Sequence, residues 1–316
     1  MARILINDGI APEGQRMLEA AGIEVHNFKI PQDELPSRLP AYNGICVRSA
    51  TQVRKELISL CPQLKVIGRG GVGLDNIDVE FAQSRKIKVV NTPAASSRSV
   101  AELSMAHMLS LSRFLYQSNR EMPVRGADEF EKLKKNYTNG IELDGKKLGI
   151  IGFGQIGREM ASVALGMGMQ ILPVDPYVNE ATIKMGSGLY STFFSIKTVA
   201  FEKMLEESDF ISLHIPHIGK PILGEKEFGR MKKGAIIVNC SRGGTVDEAA
   251  LLHFLNNETI AACGLDVFDN EPHPDSRLLS HARISLSPHI GASTREAQLK
   301  VSTELAVKVI EALKGF

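Results

Sequence analysis

A chain of 316 residues, with 43% hydrophobic and 23% charged residues, is long enough for about two domains that each bury a core. Its formal net charge of +1 leaves no electrostatic footprint for nucleic acid or an anionic membrane, and no apolar run approaches a bilayer-spanning length. Cys46, Cys61, Cys240 and Cys263 are scattered without CxxC or His/Cys clustering, which argues against a metal site or a disulfide frame.

The first half has an α/β rhythm. Residues 2–8 run directly into a charged strand centred on Arg3 to Ile6, so no signal peptide is expected and the cytoplasm is the expected compartment. Pro12 to Ala21 predicts a helix that opens on proline and closes at Gly22. Ile23 to Phe28 and Gly44 to Val47 predict strands, and Val53 to Leu60 a helix. Lys65 to Gly68 and Ile87 to Val90 predict two further strands. Strands and helices alternating over short connections imply a doubly wound parallel sheet. Ser97 to Gln117 then predicts one long helix, with Val100, Leu103, Leu111, Phe114 and Leu115 apolar, suited to cross between domains.

Near the middle of the chain, Leu148, Ile150 and Ile151 predict a buried strand that breaks at Gly152. The pattern Gly152-x-Gly154-x-x-Gly157 follows and opens a helix carrying Met160, Val163, Ala164 and Met167. Strand, tight glycine turn and helix together form a dinucleotide-binding fingerprint. Gly152 permits the turn, Gly154 lets backbone approach a pyrophosphate, and Gly157 lets helix and strand pack closely. The helix N-terminus offers unpaired N–H groups to phosphate. The next strand, Gln170 to Val174, ends at Asp175, whose carboxylate can accept hydrogen bonds from ribose hydroxyls and repel a 2′-phosphate. NAD is therefore the expected cofactor.

Four more strands are predicted at Phe210 to Leu213, Ala235 to Val238, Ala262 to Leu265 and Ile284 to Leu286, before a final helix from Arg295 to Leu313. Ligands of open parallel sheets bind beyond the carboxyl ends of the strands. Beyond three of these strands stand Arg242, Glu271 and His289. Taken singly, each has an ordinary structural reading; as an ordered trio on one sheet they point to a site. His26, His107, His253, His273 and His281 have no such context and read as surface or core. His214 and His217 could line a cofactor pocket without doing chemistry.

The motifs Val47-Arg-Ser-Ala-Thr51, Gly68 to Asp78, Ser97-Arg-Ser-Val-Ala-Glu102, Asn239 to Gly244, Asp266 to Pro272 and Pro288 to Thr294 occur in order around the fingerprint. By these the chain resembles the D-isomer-specific 2-hydroxyacid dehydrogenases, above all their phosphoglycerate dehydrogenase branch. The resemblance implies a Rossmann-type NAD domain, residues 97–289, inserted into a flavodoxin-like substrate domain of residues 1–96 and 290–316. It implies NAD-dependent oxidation of 3-phospho-D-glycerate to 3-phosphohydroxypyruvate, the first step of L-serine biosynthesis.

In that family the positions of Arg242, Glu271 and His289 form the catalytic set. His289 is then the acid/base, since a histidine pKa lies near working pH. Glu271 fixes its tautomer, and Arg242 presents a planar fork to the substrate carboxylate and the reacting oxygen. The implied cofactor contacts are Gly152, Gly154, Gln155, Ile156, Gly157, Asp175, His214, Ile215, Pro216, Cys240, Ser241, Arg242, Asp266, His289, Gly291 and Ala292. The implied substrate contacts are Arg48, Ser49, Gly71, Val72, Arg242 and His289. Arg69, Arg98, Lys134 and Lys135 add positive charge that could face a phosphate, although a solvated helix face is the favoured reading of the lysines.

Ser96 stands where related phosphoglycerate enzymes commonly carry asparagine, and residues 129–135 lack their frequent tryptophan. Glycerate, lactate or another 2-hydroxy acid therefore stays open as substrate, as does hydroxypyruvate or glyoxylate reduction. An NAD(H)-sensing scaffold like the C-terminal-binding corepressors is the rival from another class; long interaction tails would favour it. With the chain ending at Phe316, no C-terminal regulatory domain and no allosteric inhibition by serine are expected. A homodimer through the nucleotide domain and domain closure over substrate are also implied.

Overall fold

A computed structural model describes residues 1–186 and 188–314; the last two positions of the expected 290–316 segment lie outside the described residues. The chain divides into two compact units, one built from Met1–Ser97 and the segment beginning at Ala292, the other from Arg98–Gly291.

The first unit contains β1 (Arg3–Ile6), α1 (Pro12–Ala20), β2 (Glu24–Asn27), α2 (Leu35–Arg38), β3 (Gly44–Val47), α3 (Lys55–Ser59), β4 (Val66–Arg69), α4 (Val79–Ser84) and β5 (Lys88–Asn91). Its strands are all parallel in the order β2-β1-β3-β4-β5, the flavodoxin-like winding. Successive side chains alternate across the sheet, so both faces bury apolar groups. Ile4, Ile6, Cys46 and Val66 pack with Leu18 of α1 and with Leu305, Ala306 and Val309 of the last helix. Leu5, Ile45, Val47 and Ile67 pack with Leu57 and Ile58 on the opposite face.

The second unit contains α5 (Ser97–Ser112), which begins at the boundary, α6 (Leu115–Asn136), β6 (Lys147–Ile151), α7 (Gln155–Gly166), β7 (Gln170–Val174), β8 (Glu180–Met185), β9 (Thr192–Lys197) and α8 (Phe201–Glu207). It continues through β10 (Phe210–Leu213), α9 (Glu225–Phe228), β11 (Ala235–Asn239), α10 (Glu248–Asn256), β12 (Ile260–Leu265), α11 (Ser276–Leu279) and β13 (Ile284–Leu286). The final helix, α12 (Arg295–Leu313), returns to the first unit, where Thr294 caps it by accepting from Ala297 N at 3.1 Å. Six parallel strands run β13-β12-β11-β10-β6-β7, so the winding reverses between β6 and β10. One face, with Leu148, Ile150 and Val238, packs on α5 and α7 through Met105, Met108, Met160 and Ala164. The other, with Ile211, Leu213 and Ile237, packs on α8, α9 and α10. Each fully buried aliphatic side chain contributes roughly 1.5–3 kcal/mol.

One sequence expectation needs correction, and one element was not expected. The helix expected from Ser97 to Gln117 is two helices, broken where Phe114 takes a left-handed φ of 53°. The carbonyl of Ser112 accepts from Ile141 N at 2.9 Å, so a tertiary bond replaces the next helical one. Beyond Asp175 an unexpected antiparallel hairpin, β8–β9, packs against α7. Its alternation was present in the sequence: Ala181 and Ile183 are buried while Thr182 and Lys184 are exposed.

Candidate active site

The glycine-rich turn lies between β6 and α7, on the β6 side of the switch point. Gly152 has φ 93°, and a Cβ there would lie 2.5 Å from His214 O. A Cβ at Gly157 would lie 2.0 Å from Gly152 O, so only glycine lets α7 approach its own turn. At Gly154 a Cβ would meet no protein atom within 4 Å, which leaves open space at the N-terminus of α7. Gln155 and Ile156 form the first turn of that helix. Asp175 binds back to the turn: Oδ2 accepts from Phe153 N at 2.8 Å, and Oδ1 accepts from Tyr177 N at 2.8 Å and Val178 N at 3.1 Å. A carboxylate has about four acceptor positions, so capacity for a ribose hydroxyl remains.

After β10, His214 and Ile215 lie against Gly152, followed by Pro216. His214 Nε2 meets Ser212 Oγ at 2.9 Å, and its buried Nδ1 has no hydrogen-bond partner. Burial pushes this imidazole down to about 3, keeping it neutral. Open space over Gly154 and an orphaned polar atom beside Gly152 both suit a dinucleotide.

Three loops beyond β11, β12 and β13 hold the trio. Asn239, buried at the end of β11, accepts from Ser241 N at 3.0 Å and Ser241 Oγ at 2.7 Å, and donates from Nδ2 to Arg242 O at 3.1 Å. That side chain shapes the Cys240–Ser241–Arg242 turn, which is not apparent from composition or motif spacing. Glu271 Oε1 accepts from Phe268 N at 3.0 Å, and Oε2 meets His289 Nδ1 at 2.7 Å. Burial would raise the Glu271 pKa, but these hydrogen bonds and the positive charges of His289 and Arg242 outweigh it and hold the carboxyl below its usual range. The three side chains thus share one electrostatic environment.

His289 adopts a left-handed φ of 53°, a conformation costly for a side chain that carries a Cβ. Asp266 holds it there. Its carbonyl accepts from His289 N at 2.8 Å, and its fully buried carboxylate accepts from Ile290 N and Gly291 N, each at 2.8 Å, and from Ser287 Oγ at 2.6 Å. A cavity of about 410 Å³, lined by Phe268, Leu286 and Pro288 among others, opens beside Glu271 and His289.

The matching family model is the D-isomer specific 2-hydroxyacid dehydrogenase NAD binding domain, over residues 105–291. The chain belongs to that family. This dehydrogenase is 40% identical to a hydroxypyruvate reductase of Thermotoga maritima over 98% of both chains. It is 40% identical to a D-3-phosphoglycerate dehydrogenase of Methanocaldococcus jannaschii over 100% of its own length, but spans 58% of that relative. The human D-3-phosphoglycerate dehydrogenase is 36% identical, and the chain spans 57% of it. A glyoxylate reductase from Paecilomyes thermophila has the same fold, with TM-score 0.81, 28% identity, and coverage of 99% of this chain and 96% of that one. The enzyme is thus an NAD-binding oxidoreductase of the 2-hydroxyacid dehydrogenase type.

The other expected residues lie in the first unit. Arg48 and Ser49 follow β3, and Gly71 and Val72 follow β4. Asp8 shapes the Arg48 loop by accepting from Arg48 N at 2.7 Å and Thr51 N at 3.1 Å, while Asn76 Nδ2 donates to Arg48 O at 2.7 Å and Thr51 O at 2.6 Å. Lys29 approaches Asp8 Oδ1 at 2.5 Å. Burial would raise the Asp8 pKa, but bonds from Lys29, Arg48 N and Thr51 bring it below its usual range. Ala292 also falls in this unit.

Two of the suggested phosphate-facing cations, Arg98 and Lys134, have other partners. Arg98 pairs with Glu102 at 2.7 Å and Glu159 at 3.6 Å, and Lys134 lies 3.7 Å from Glu131. Among the described residues no helix is long and apolar enough to cross a membrane, and no cluster could hold a metal ion.

Proposed function

We propose that this dehydrogenase oxidises 3-phospho-D-glycerate to 3-phosphohydroxypyruvate, with His289, Glu271 and Arg242 as its catalytic residues. The observation that carries the reading is the 2.7 Å pair of His289 Nδ1 with Glu271 Oε2. With Glu271 ionised, Nδ1 carries the proton and Nε2 keeps a lone pair for the substrate hydroxyl. During oxidation Nε2 takes the hydroxyl proton as hydride leaves C2, and Glu271 stabilises the imidazolium that forms. Arg242 binds the substrate carboxylate and the reacting oxygen through paired N–H groups. When bound, NAD supplies nicotinamide C4 as the hydride acceptor.

In this reading the second unit holds the dinucleotide through Gly152, Gly154, Gly157 and Asp175, with the loops carrying His214, Cys240 and Asp266 around it. Arg48, Ser49, Gly71 and Val72, all in the first unit, are the proposed substrate contacts there. Relatives bearing the phosphoglycerate name in an archaeon, a bacterium and a mammal, each aligned over the full chain, support the substrate. Hydroxypyruvate reduction is the second reading, favoured by the Thermotoga maritima relative, which matches end to end. Free, buried cysteines agree with a reducing compartment, the cytoplasm. Exposed Leu115, Met122, Val124 and Phe130 on α6 support pairing of two chains through the second unit.

Comparing kcat/KM for 3-phosphoglycerate, D-glycerate and D-lactate with NAD tests the substrate. The phosphate should add about tenfold or more, the worth of one charge-assisted contact of roughly 1.5 kcal/mol. Preference for an unphosphorylated acid would overturn it. His289→Ala should collapse kcat while NADH binding persists; retained turnover removes His289 from its role.

A further inference from the structure

His107 sits on α5, 5% exposed and far in sequence from the trio, yet it is wired to the loop that carries His289. Its Nδ1 lies 2.9 Å from Ser285 Oγ and its Nε2 lies 3.0 Å from Ser287 Oγ. Ser287 has one hydroxyl proton, and donates it to the Asp266 carboxylate at 2.6 Å. Toward His107 the same oxygen can therefore only accept. That assigns the tautomer: Nε2 carries the proton, and Nδ1 accepts from Ser285. Burial lowers the His107 pKa, in agreement with a neutral ring. The result is a one-way chain of donors, Ser285 to His107 to Ser287 to Asp266, ending on the carboxylate that binds Ile290 N and Gly291 N.

The fold makes room for this ring. Gly264 of β12 lies directly beneath it, and a Cβ there would come within 2.8 Å of His107 Cβ. A side chain at position 264 would push the imidazole off both serines.

We infer that His107 is a positioning residue for the reaction: its Nε2–H orients the Ser287 hydroxyl onto Asp266, and Asp266 then holds the His289 loop in its left-handed conformation. The inference rests on the proposal that His289 is the acid/base. A small misplacement of an acid/base costs far more in turnover than in substrate affinity. Losing the donor should therefore lower kcat and leave KM nearly unchanged.

The two amide replacements separate this from simple packing. His107→Gln can place an N–H where Nε2 was and still reach Ser287. His107→Asn reaches only the Nδ1 position, near Ser285. Steady-state reduction of 3-phosphohydroxypyruvate or hydroxypyruvate by NADH, whichever turns over faster, would be measured with NADH affinity and Tm for each variant. His107→Leu and His107→Asn are expected to lose about tenfold or more in kcat, the cost of loosening an oriented catalytic group. His107→Gln should recover most of that loss at a Tm close to that of the Asn variant. Ser287→Ala should resemble His107→Leu, and the double variant should be no worse than either, because both cut one chain.

Equal kcat for the Gln and Asn variants, or additive losses in the double variant, would overturn the inference. If His107→Leu does not fold, the Gln–Asn comparison still decides. A His289→Ala control keeps the two ideas apart. Retained turnover in that control defeats the catalytic assignment itself, whereas an inactive control beside wild-type-like His107 variants defeats only the positioning role.

Discussion

His289 and His214 are both imidazoles beyond strand ends of one sheet, and their surroundings give them opposite properties. His289 is paired with a carboxylate and nearly half exposed. His214 is partly buried, with Nε2 on Ser212 and its pKa pushed down to about 3, so it stays neutral in the folded state. An unfolded chain takes up that proton below about 6.5, so acid favours unfolding through this residue. Its contribution to stability is complete above pH 6.5 and is lost as pH falls toward 3. His214→Gln should therefore flatten the plot of Tm against pH across that interval. Parallel curves for the two proteins would show that the burial argument is wrong. Residue pattern alone places either histidine at a strand end; the family resemblance implied that Glu271 orients His289, and the two meet at 2.7 Å across two loops.

At the scale of elements, the β6–turn–α7 unit was legible because its constraints are local. The turn needs a positive φ at Gly152 and a bare Cα at Gly157, and both follow from spacing alone. The last two glycines of the turn, Gly154 and Gly157, make a testable contrast. Gly157→Ala would set a methyl 2.0 Å from Gly152 O, forcing the helix off its turn at a cost of roughly 1–3 kcal/mol. Both Tm and NADH affinity should fall. Gly154→Ala meets no protein atom within 4 Å, so Tm should hold while NADH affinity falls, because the methyl occupies the space left for phosphate. A Gly154→Ala protein that binds NADH normally would move the pyrophosphate elsewhere. The α5–α6 break was not legible, since Leu111, Phe114 and Leu115 continue an apolar pattern past the point where Ile141 takes the Ser112 carbonyl. The β8–β9 hairpin carries a readable alternation at Ala181 and Ile183, although no strand is expected there.

For the molecule as a whole, two sheets of different winding explain how one chain carries both a dinucleotide fingerprint and a second strand–helix array ahead of it. The exposed apolar residues of α6 belong to this scale, because much of their apolar surface faces solvent in the single chain. Leu115 is 61% exposed and Val124 81% exposed. Replacing Val124 with Asp on the proposed contact should shift sedimentation at micromolar concentration from dimer to monomer without lowering secondary structure. A wild-type protein already monomeric there would refute pairing through α6.

The sequence alone determined the strands of the two parallel sheets, which cofactor class the central turn accepts, and which three side chains stand beyond neighbouring strands. Those features depend on periodicity, on glycine stereochemistry and on the rule that parallel strands present their carboxyl ends together. Only the tertiary structure decided the His289–Glu271 contact, the neutral burial of His214 and the path from His107 to Asp266. The His289–Glu271 contact and the His107 path join groups separated in sequence, and a hydrogen bond of 2.7 to 3.0 Å is settled by how the layers pack, which no local pattern encodes.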